Sequence, residues 1–374
     1  MNPPDTTSNG SHTAPVQEIT IDDSEPGAVH EIPITMPEGG WTIAHVAEKA
    51  GSGSPDSRVI WQFDAQDEHG GTLIVLASDP AGRTGSPRTV QIRFVQNDRV
   101  AQDDRGGDRA SPPHQDDPIA VDPDGSDEDQ DAYEIRTPTA RYFYDKTGGG
   151  FSSLIDRDGN DWISYRRGNG PAGEYRGIPN MVYRSDGGRN NHFHPGHTEQ
   201  KASAARLVHT GPLKVTIESS VDEDRWQVRW EIYPDLARLT VLEIDRDDPR
   251  FWFLYEGTPG GRFKRKDRCL RSNGVDSRLS KKWEDRTNTI DWVAFRVPEQ
   301  NRSLLLRLES ELDVPVSYYP MAPMTVFGFG RKLGGVESFL SDVPTQITVR
   351  LLETSNPQEI ETVATSGMID QSPT

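Results

Sequence analysis

The chain reads as an all-β protein built from a small N-terminal β-sandwich, an acidic disordered linker and a larger C-terminal antiparallel sandwich. Three observations predict this. Short segments alternating apolar and polar residues recur through both halves, separated by clusters of Gly, Pro and Asp. No amphipathic stretch of three helical turns interrupts the second half. Between the halves, residues 97–131 collapse to Asp, Gly, Pro, Gln and Ser, a composition that cannot bury a core.

Residues 1–17 are polar and rich in Pro, Ser and Thr, and are expected to be disordered. The first sandwich is expected over residues 18–96. Its strands are the alternating runs 31–37, 58–64 and 89–95 and the compact apolar run 72–76. Val90, Ile92 and Phe94 fall on one side of theirs. Residues 44–49 hint at a helix. The linker holds DPDGSDEDQD, which lacks the terminal Glu and the flanking helices of a calcium loop, so it reads as solvated charge.

The second domain is expected over residues 132–356, with a disordered tail over 357–374. It opens with Arg141-Tyr142-Phe143-Tyr144 and then GGGFSSLIDRDGNDWI, where Asp-Gly-Asn suits a tight turn and Trp162 packs beneath it. The Gly triplet is no phosphate loop, because neither Lys-Ser/Thr nor a helix follows it. Farther on, Trp226, Val228, Trp230 and Ile232 share one strand face. Further strands are expected at 211–221, 239–244, 251–256, 290–297, 303–308, 314–319, 324–329 and 346–352.

The composition narrows the partners. A formal net charge of -18 argues against nucleic acid and against an anionic membrane surface. No run approaches the roughly 18 apolar residues of a membrane span. The N-terminal residues lack the basic and apolar regions of a signal peptide, so the expected location is the cytosol, or outside the cell after removal of a signal. The one cysteine, Cys269, forms no intrachain disulfide and reads as a small buried residue.

The stretch that attracts function is GEYRGIPNMVYRSDGGRNNHFHPGH, residues 173–197. It is broken by Gly and Pro, reads as a long loop, and holds three of the nine histidines in its last six positions. Three chemistries compete for it. The first is acid–base work on a sugar, for which Tyr175, Arg176, His192 and His194 are the catalytic candidates together with Glu256. Glu174, Asn180, Arg184 and His197 would contact the substrate. A lyase would use Tyr or His against a uronate clamped by Arg or Asn. An epimerase would pair a His with Glu174 or Glu256. The structural alternative is a surface loop pinned by ion pairs to Glu174 or Asp186. The second chemistry is metal binding by His192, His194 and His197, whose His-x-His-x-x-His spacing can ligate zinc. The third is recognition alone, with Trp162, Trp252 and Tyr255 offering flat faces to sugar rings. Glu256 ends an apolar strand just before Gly257-Thr258-Pro259. There it is either a proton donor with a raised pKa or a carboxylate that caps a turn.

The segments GGGFSSLIDRDGNDWISY, GEYRGIPN and WFLYEGTPGG, with the strands between them, resemble the galactose mutarotase-like β-supersandwich over about residues 133–355. That architecture serves aldose epimerases and the C-terminal sheets of polysaccharide lyases. The chain also resembles bacterial two-domain β proteins that pair such a sheet with a small N-terminal sandwich. The resemblance implies a C-terminal antiparallel β-supersandwich that is carbohydrate-active, by lyase-like or epimerase-like chemistry on a saccharide or polysaccharide. NNHFHPGH stands nearest the Asn-His-x-x-Phe-Asn-Leu segment of aldose epimerases without matching it, so no residue role is carried over. The alternatives are a non-catalytic carbohydrate-binding or scaffold protein and a metal-dependent glycoside hydrolase. No cofactor is expected. The carbohydrate reading requires Tyr175, Arg176, His194 and Glu256 to converge on one concave sheet face.

Overall fold

The computed structural model describes residues 15–21, 29–37, 41–49, 58–67, 70–78, 88–96, 109–110, 117–168, 174–185, 188–196, 203–221, 223–247, 249–334, 337–365 and 370–371. The chain forms two compact units. One comprises Met1–Gln115 with Ile369–Thr374, and the other is Asp116–Met368.

The first unit contains β1 (Val16–Ile21), β2 (Val29–Thr35), β3 (Trp41–Glu48), β4 (Arg58–Asp67), β5 (Gly70–Ser78), β6 (Arg88–Gln96) and β7 (Arg109–Ala110). Three strands form a sheet in the order β1-β6-β3. A second sheet runs β2-β5-β4-β7, and Asp370–Gln371, from the far end of the chain, pairs in parallel with β2. Val90, Ile92 and Phe94 of one sheet pack with Ile34, Trp61, Phe63, Leu73 and Val75 of the other, so this unit is a sandwich. The helix hinted at over 44–49 is instead part of β3. A register break between Ile43 and His45 shifts the period there, so buried Ile43 and Val46 stand three apart and mimic helical spacing.

The second unit opens with β8 (Ala120–Asp127), β9 (Gln130–Arg136), β10 (Ala140–Asp145), β11 (Gly150–Asp156), β12 (Gly177–Ser185), β13 (Gly188–Phe193) and β14 (Ala204–Thr210). Next come β15 (Val215–Val221), β16 (Trp226–Ile232), β17 (Ala237–Glu243), β18 (Phe251–Gly257), β19 (Arg268–Arg271) and β20 (Asp276–Arg278). It closes with β21 (Trp283–Arg286), β22 (Trp292–Val297), β23 (Arg302–Leu308), β24 (Pro315–Met321), β25 (Met324–Phe329), β26 (Thr345–Leu352) and helix α1 (Pro357–Thr365). A ten-stranded sheet runs β21-β24-β25-β18-β12-β11-β10-β9-β8, with β13 paired to β12. A nine-stranded sheet runs β14-β15-β16-β17-β26-β23-β22-β19-β20.

The two sheets face each other across one core. Phe151 of the first meets Trp230 of the second with ring centroids 4.6 Å apart, and Tyr255 meets Phe295 at 5.2 Å. Tyr144 Oη and Ser219 Oγ share a hydrogen bond of 2.8 Å across the gap. The alternation predicted for residues 226–232 holds: Trp226, Val228, Trp230 and Ile232 are all buried in this core. Cys269 is buried there too, and burial pushes its thiol up to about 12, which leaves no reactive thiolate.

Three expectations need correction. The disordered linker expected over 97–131 gives way to β8 and β9. Their acidic residues are tolerated because β8 is an edge strand whose side chains are mostly exposed, with a register shift around Pro123. Residues 97–108 and 111–116 lie outside the described residues. The frayed tail expected after residue 357 instead begins as α1. Asn356 caps it, accepting the Gln358 N–H at 3.0 Å, and Pro357 occupies its first turn. Ile360 and Ala364, four apart, cover Leu270, Trp292, Ala294, Leu305 and Leu352 on the outer face of the nine-stranded sheet. The loop expected over 173–197 holds the hairpin β12–β13, and β12 sits inside the large sheet between β11 and β18. Pro179 is accommodated because β12 loses register between Gly177 and Asn180, where no ladder bond needs its missing N–H.

Candidate functional site

Strand β18 is buried along its whole length, and its two faces do different things. Phe251, Phe253 and Tyr255 point into the main core. Trp252 and Leu254 point the other way and pack with Met324 and Val326 of β25. Glu256 follows on that outer face. Asn180 of β12 is paired opposite Leu254, so it shares the face, and its Nδ2–H donates to Glu256 Oε2. Asn180 is 3% exposed and Glu256 6%. A buried carboxylate is stable only when hydrogen-bonded or paired, and the Asn180 amide supplies part of that.

His194 approaches the same place. Gly177 is paired directly opposite Glu256, and a Cβ added at Gly177 would fall 2.6 Å from Pro195 Cδ and 3.3 Å from His194 Cδ2. Only glycine permits this approach, so the His194 ring flanks the β12 position facing Glu256. The His194–Pro195–Gly196 turn is held down at several points. His194 N–H donates to Gly148 O at 2.8 Å, and Gly196 N–H donates to Asp145 Oδ2 at 2.8 Å. Tyr165 stands edge-on to the imidazole, with centroids 6.2 Å apart. His194 is 4% exposed.

The other candidates divide. Tyr175 is 44% exposed, and Glu174 is exposed beside it. Arg176 turns to the opposite side and donates from Nη1 to Ser164 O at 2.8 Å; burial, then Arg166, lower its pKa. The side chains of Arg184 and His192, and all of His197, fall outside the described residues. Of the proposed histidine metal set, His194 alone has a described side chain. Among the described residues, no group of three or more potential ligands is clustered. The aromatic faces expected to meet sugar rings are packed away. Trp162 and Tyr255 belong to the main core, and Trp252 packs in the outer apolar cluster with the Arg331 guanidinium 5.8 Å from its ring. Alternation identifies a strand's two faces but not whether the outer one is covered, and here both are.

The three segments that carry the family resemblance meet at the 161–164 turn. Asp156 accepts the Trp162 Nε1–H at 2.9 Å and the Asn160 N–H at 2.9 Å. Asp161 accepts the Leu154 and Ile163 N–H groups at 3.1 and 3.0 Å and the Ser153 hydroxyl at 3.0 Å. Burial still raises its pKa, against those bonds. Trp162 O accepts the Tyr255 hydroxyl at 2.7 Å and the Thr258 N–H at 2.9 Å, and the Thr258 and Ser164 hydroxyls pair at 2.8 Å. Arg176 completes the knot through Ser164. Asp156 and Asp161 escaped the sequence reading as anchors, although the turn and the tryptophan they hold were legible.

The fold and site thus define an all-β protein whose second unit is an antiparallel sandwich of two large sheets, with buried polar groups on the outer face of one sheet. No family model matches the chain, and no curated protein matches it. Among solved structures it is similar to an active YidC insertase with its first transmembrane domain resolved, at 13% identity and a TM-score of 0.35 over 66% of this chain. The chain spans 43% of that insertase. It is also similar to a candidate aldose 1-epimerase of Escherichia coli K12, at 8% identity and a TM-score of 0.35, covering 57% of this chain and 96% of that one. A third similarity is to YidC of Thermotoga maritima, at 11% identity and a TM-score of 0.31, over 63% of this chain and 51% of that one. None of these likenesses carries an argument about function at such scores. Among the described residues, no helix is long and apolar enough to cross a membrane.

Proposed function

We propose that the second unit performs acid–base chemistry on a saccharide, of the epimerase-like kind, at the outer face of β12 and β18. Glu256 and His194 would move the proton, and Asn180 would orient Glu256. The observation that supports this is the Asn180–Glu256 hydrogen bond, with Pro195 and the His194 ring filling the space that Gly177 leaves on the paired strand. An epimerase needs one group that takes a proton and another that gives one, and His and Glu are both used in such roles. The lyase-like form is less well supported, because Tyr175 is exposed and Arg176 is engaged with Ser164 O. The test is mutarotation or epimerisation of aldoses followed by polarimetry, with uronic polysaccharides monitored for enone absorbance in parallel. Glu256→Gln should lower the rate about 10²–10⁴-fold with the fold unchanged. Wild-type protein inert towards both substrate classes would sink the catalytic reading.

A second reading is favoured by the depth of the three groups, each more than nine-tenths buried. In that reading the polar cluster is structural, and the unit binds carbohydrate without turning it over. Glycan binding that survives His194→Ala, without turnover, would select it.

A further inference from the structure

Away from the β12–β18 pair, the turns at one end of the second unit enclose a cleft of about 430 Å³. Its walls come from the β8–β9 turn, the 159–166 turn, residues 260–264 and Gln300. Three cations line it: Arg166, Arg262 and Lys264. Lys264 shares Glu299 at 3.1 Å. Arg166 and Arg262 make no hydrogen bond or ion pair among the described residues. In a chain with 59 acidic and 41 basic residues, two guanidinium groups without a hydrogen-bonded partner on one cleft stand out, although the Arg166 charge is felt by Glu128. Two carboxylates also face the cleft. Asp161 has its oxygens engaged by the three donors described above. Glu128 stands in the left-handed conformation at the β8–β9 turn, with burial and then Asp127 raising its pKa, so its charge opposes an anion less than an ordinary glutamate would.

Gln300 braces the wall. Its Nε2 donates to Gly260 O at 3.0 Å and to Asn160 Oδ1 at 3.3 Å, and its Oε1 is buried against Gly260, shielded from the cleft. Among the described residues, no aromatic side chain lines the cleft.

We propose that this cleft binds a small anion through a carboxylate or phosphate group. Arg166 and Arg262 hold that group through charge-assisted N–H bonds, with Lys264 adding field. The site shares no residue with the Asn180–Glu256 pair and does not depend on the acid–base reading.

Isothermal titration of the full chain at low salt tests it, with galacturonate, glucose 6-phosphate, inorganic phosphate and galactose as probes. Both sugar anions should bind and galactose should not. The double variant Arg166→Ala/Arg262→Ala should weaken binding at least about tenfold. Added salt should weaken it as well, because the guanidinium groups are exposed. Since neither arginine supports another described residue, the variant should unfold at the wild-type midpoint. Glu256→Gln should bind as the wild type does, which keeps this result separate from the fate of the catalytic reading. The proposal falls if neither sugar anion binds at up to about 10 mM, if the double variant binds equally well, or if galactose binds as tightly as galacturonate.

Discussion

The outer faces of the two large sheets solve the same problem differently. On β14–β17 of the nine-stranded sheet, carboxylates are bracketed by cations. Glu218 lies 2.6 Å from both Arg206 and Arg229, and Glu231 lies 3.3 Å from Lys214 and 2.9 Å from Arg238. Every second residue of β16 is therefore only partly buried, and the face is a charged lattice. On β12, β18 and β25 of the ten-stranded sheet, the outward residues are Trp252, Leu254, Met324 and Val326, followed by Glu256 with the Asn180 amide. In the first arrangement the exposed Arg206 and Arg229 pairs are worth little each, whereas Glu231, Lys214 and Arg238 are largely buried and depend on one another. The second is a small extra core with polar groups set into its margin. Such groups cost free energy that apolar residues would not, which makes them candidates for function.

Three measurements can break or sharpen that contrast. The largest effect should come from Trp252→Ala. If the outer face of β18 is a true core, denaturant unfolding should show a loss of about 3–5 kcal/mol. A loss under about 1 kcal/mol would mean that the face is not packed.

Glu231→Gln comes next. Burial pushes the Glu231 carboxyl up, but Arg238 and Lys214 outweigh it and hold its pKa below the ordinary value. A depressed folded pKa contributes stability above the unfolded pKa and loses it as pH falls through the folded value. The variant should therefore cost about 2–3 kcal/mol near neutral pH and progressively less in acid. A cost independent of pH would show that packing, not charge, sets the value of this cluster.

The smallest effect has the opposite sign. Asp267 is buried, its Oδ2 has no hydrogen bond among the described residues, and burial raises its pKa to about 6. Here the folded state binds the proton more tightly than the unfolded chain. Stability is therefore lost as pH rises from the ordinary aspartate value towards 6. Asp267→Asn should raise stability by about 1–2 kcal/mol at neutral pH and by little in acid. Destabilisation at neutral pH would mean that the charge has a role.

What could be read in advance followed from how strictly each segment kept its period. Trp226 to Ile232 alternates without a break and was legible, as was the Asp-Gly-Asn turn over Trp162. β3 and β12 were not, because a register break in each destroys the alternation that signals a strand. β8 was hidden by the composition that an edge strand tolerates. At the site, Glu256 stood out as an acid closing an apolar strand. Its partner Asn180 lies 76 positions away in sequence, joined to it only by the sheet register, which no local pattern encodes. Tyr175 and Arg176 were grouped with that acid because their residue types suit acid–base work on a clamped anion. The strand instead leaves Tyr175 exposed and turns Arg176 back to Ser164.

The pairing of Asp370–Gln371 with β2 has a consequence for the order of assembly. The unit whose other strands precede the second unit in the chain owns one strand that follows it. Its sheet stays one strand short until translation has passed through the entire sandwich inserted between the two pieces. A nascent chain arrested before residue 370 should present a finished second unit and a first unit with β2 still open along one edge.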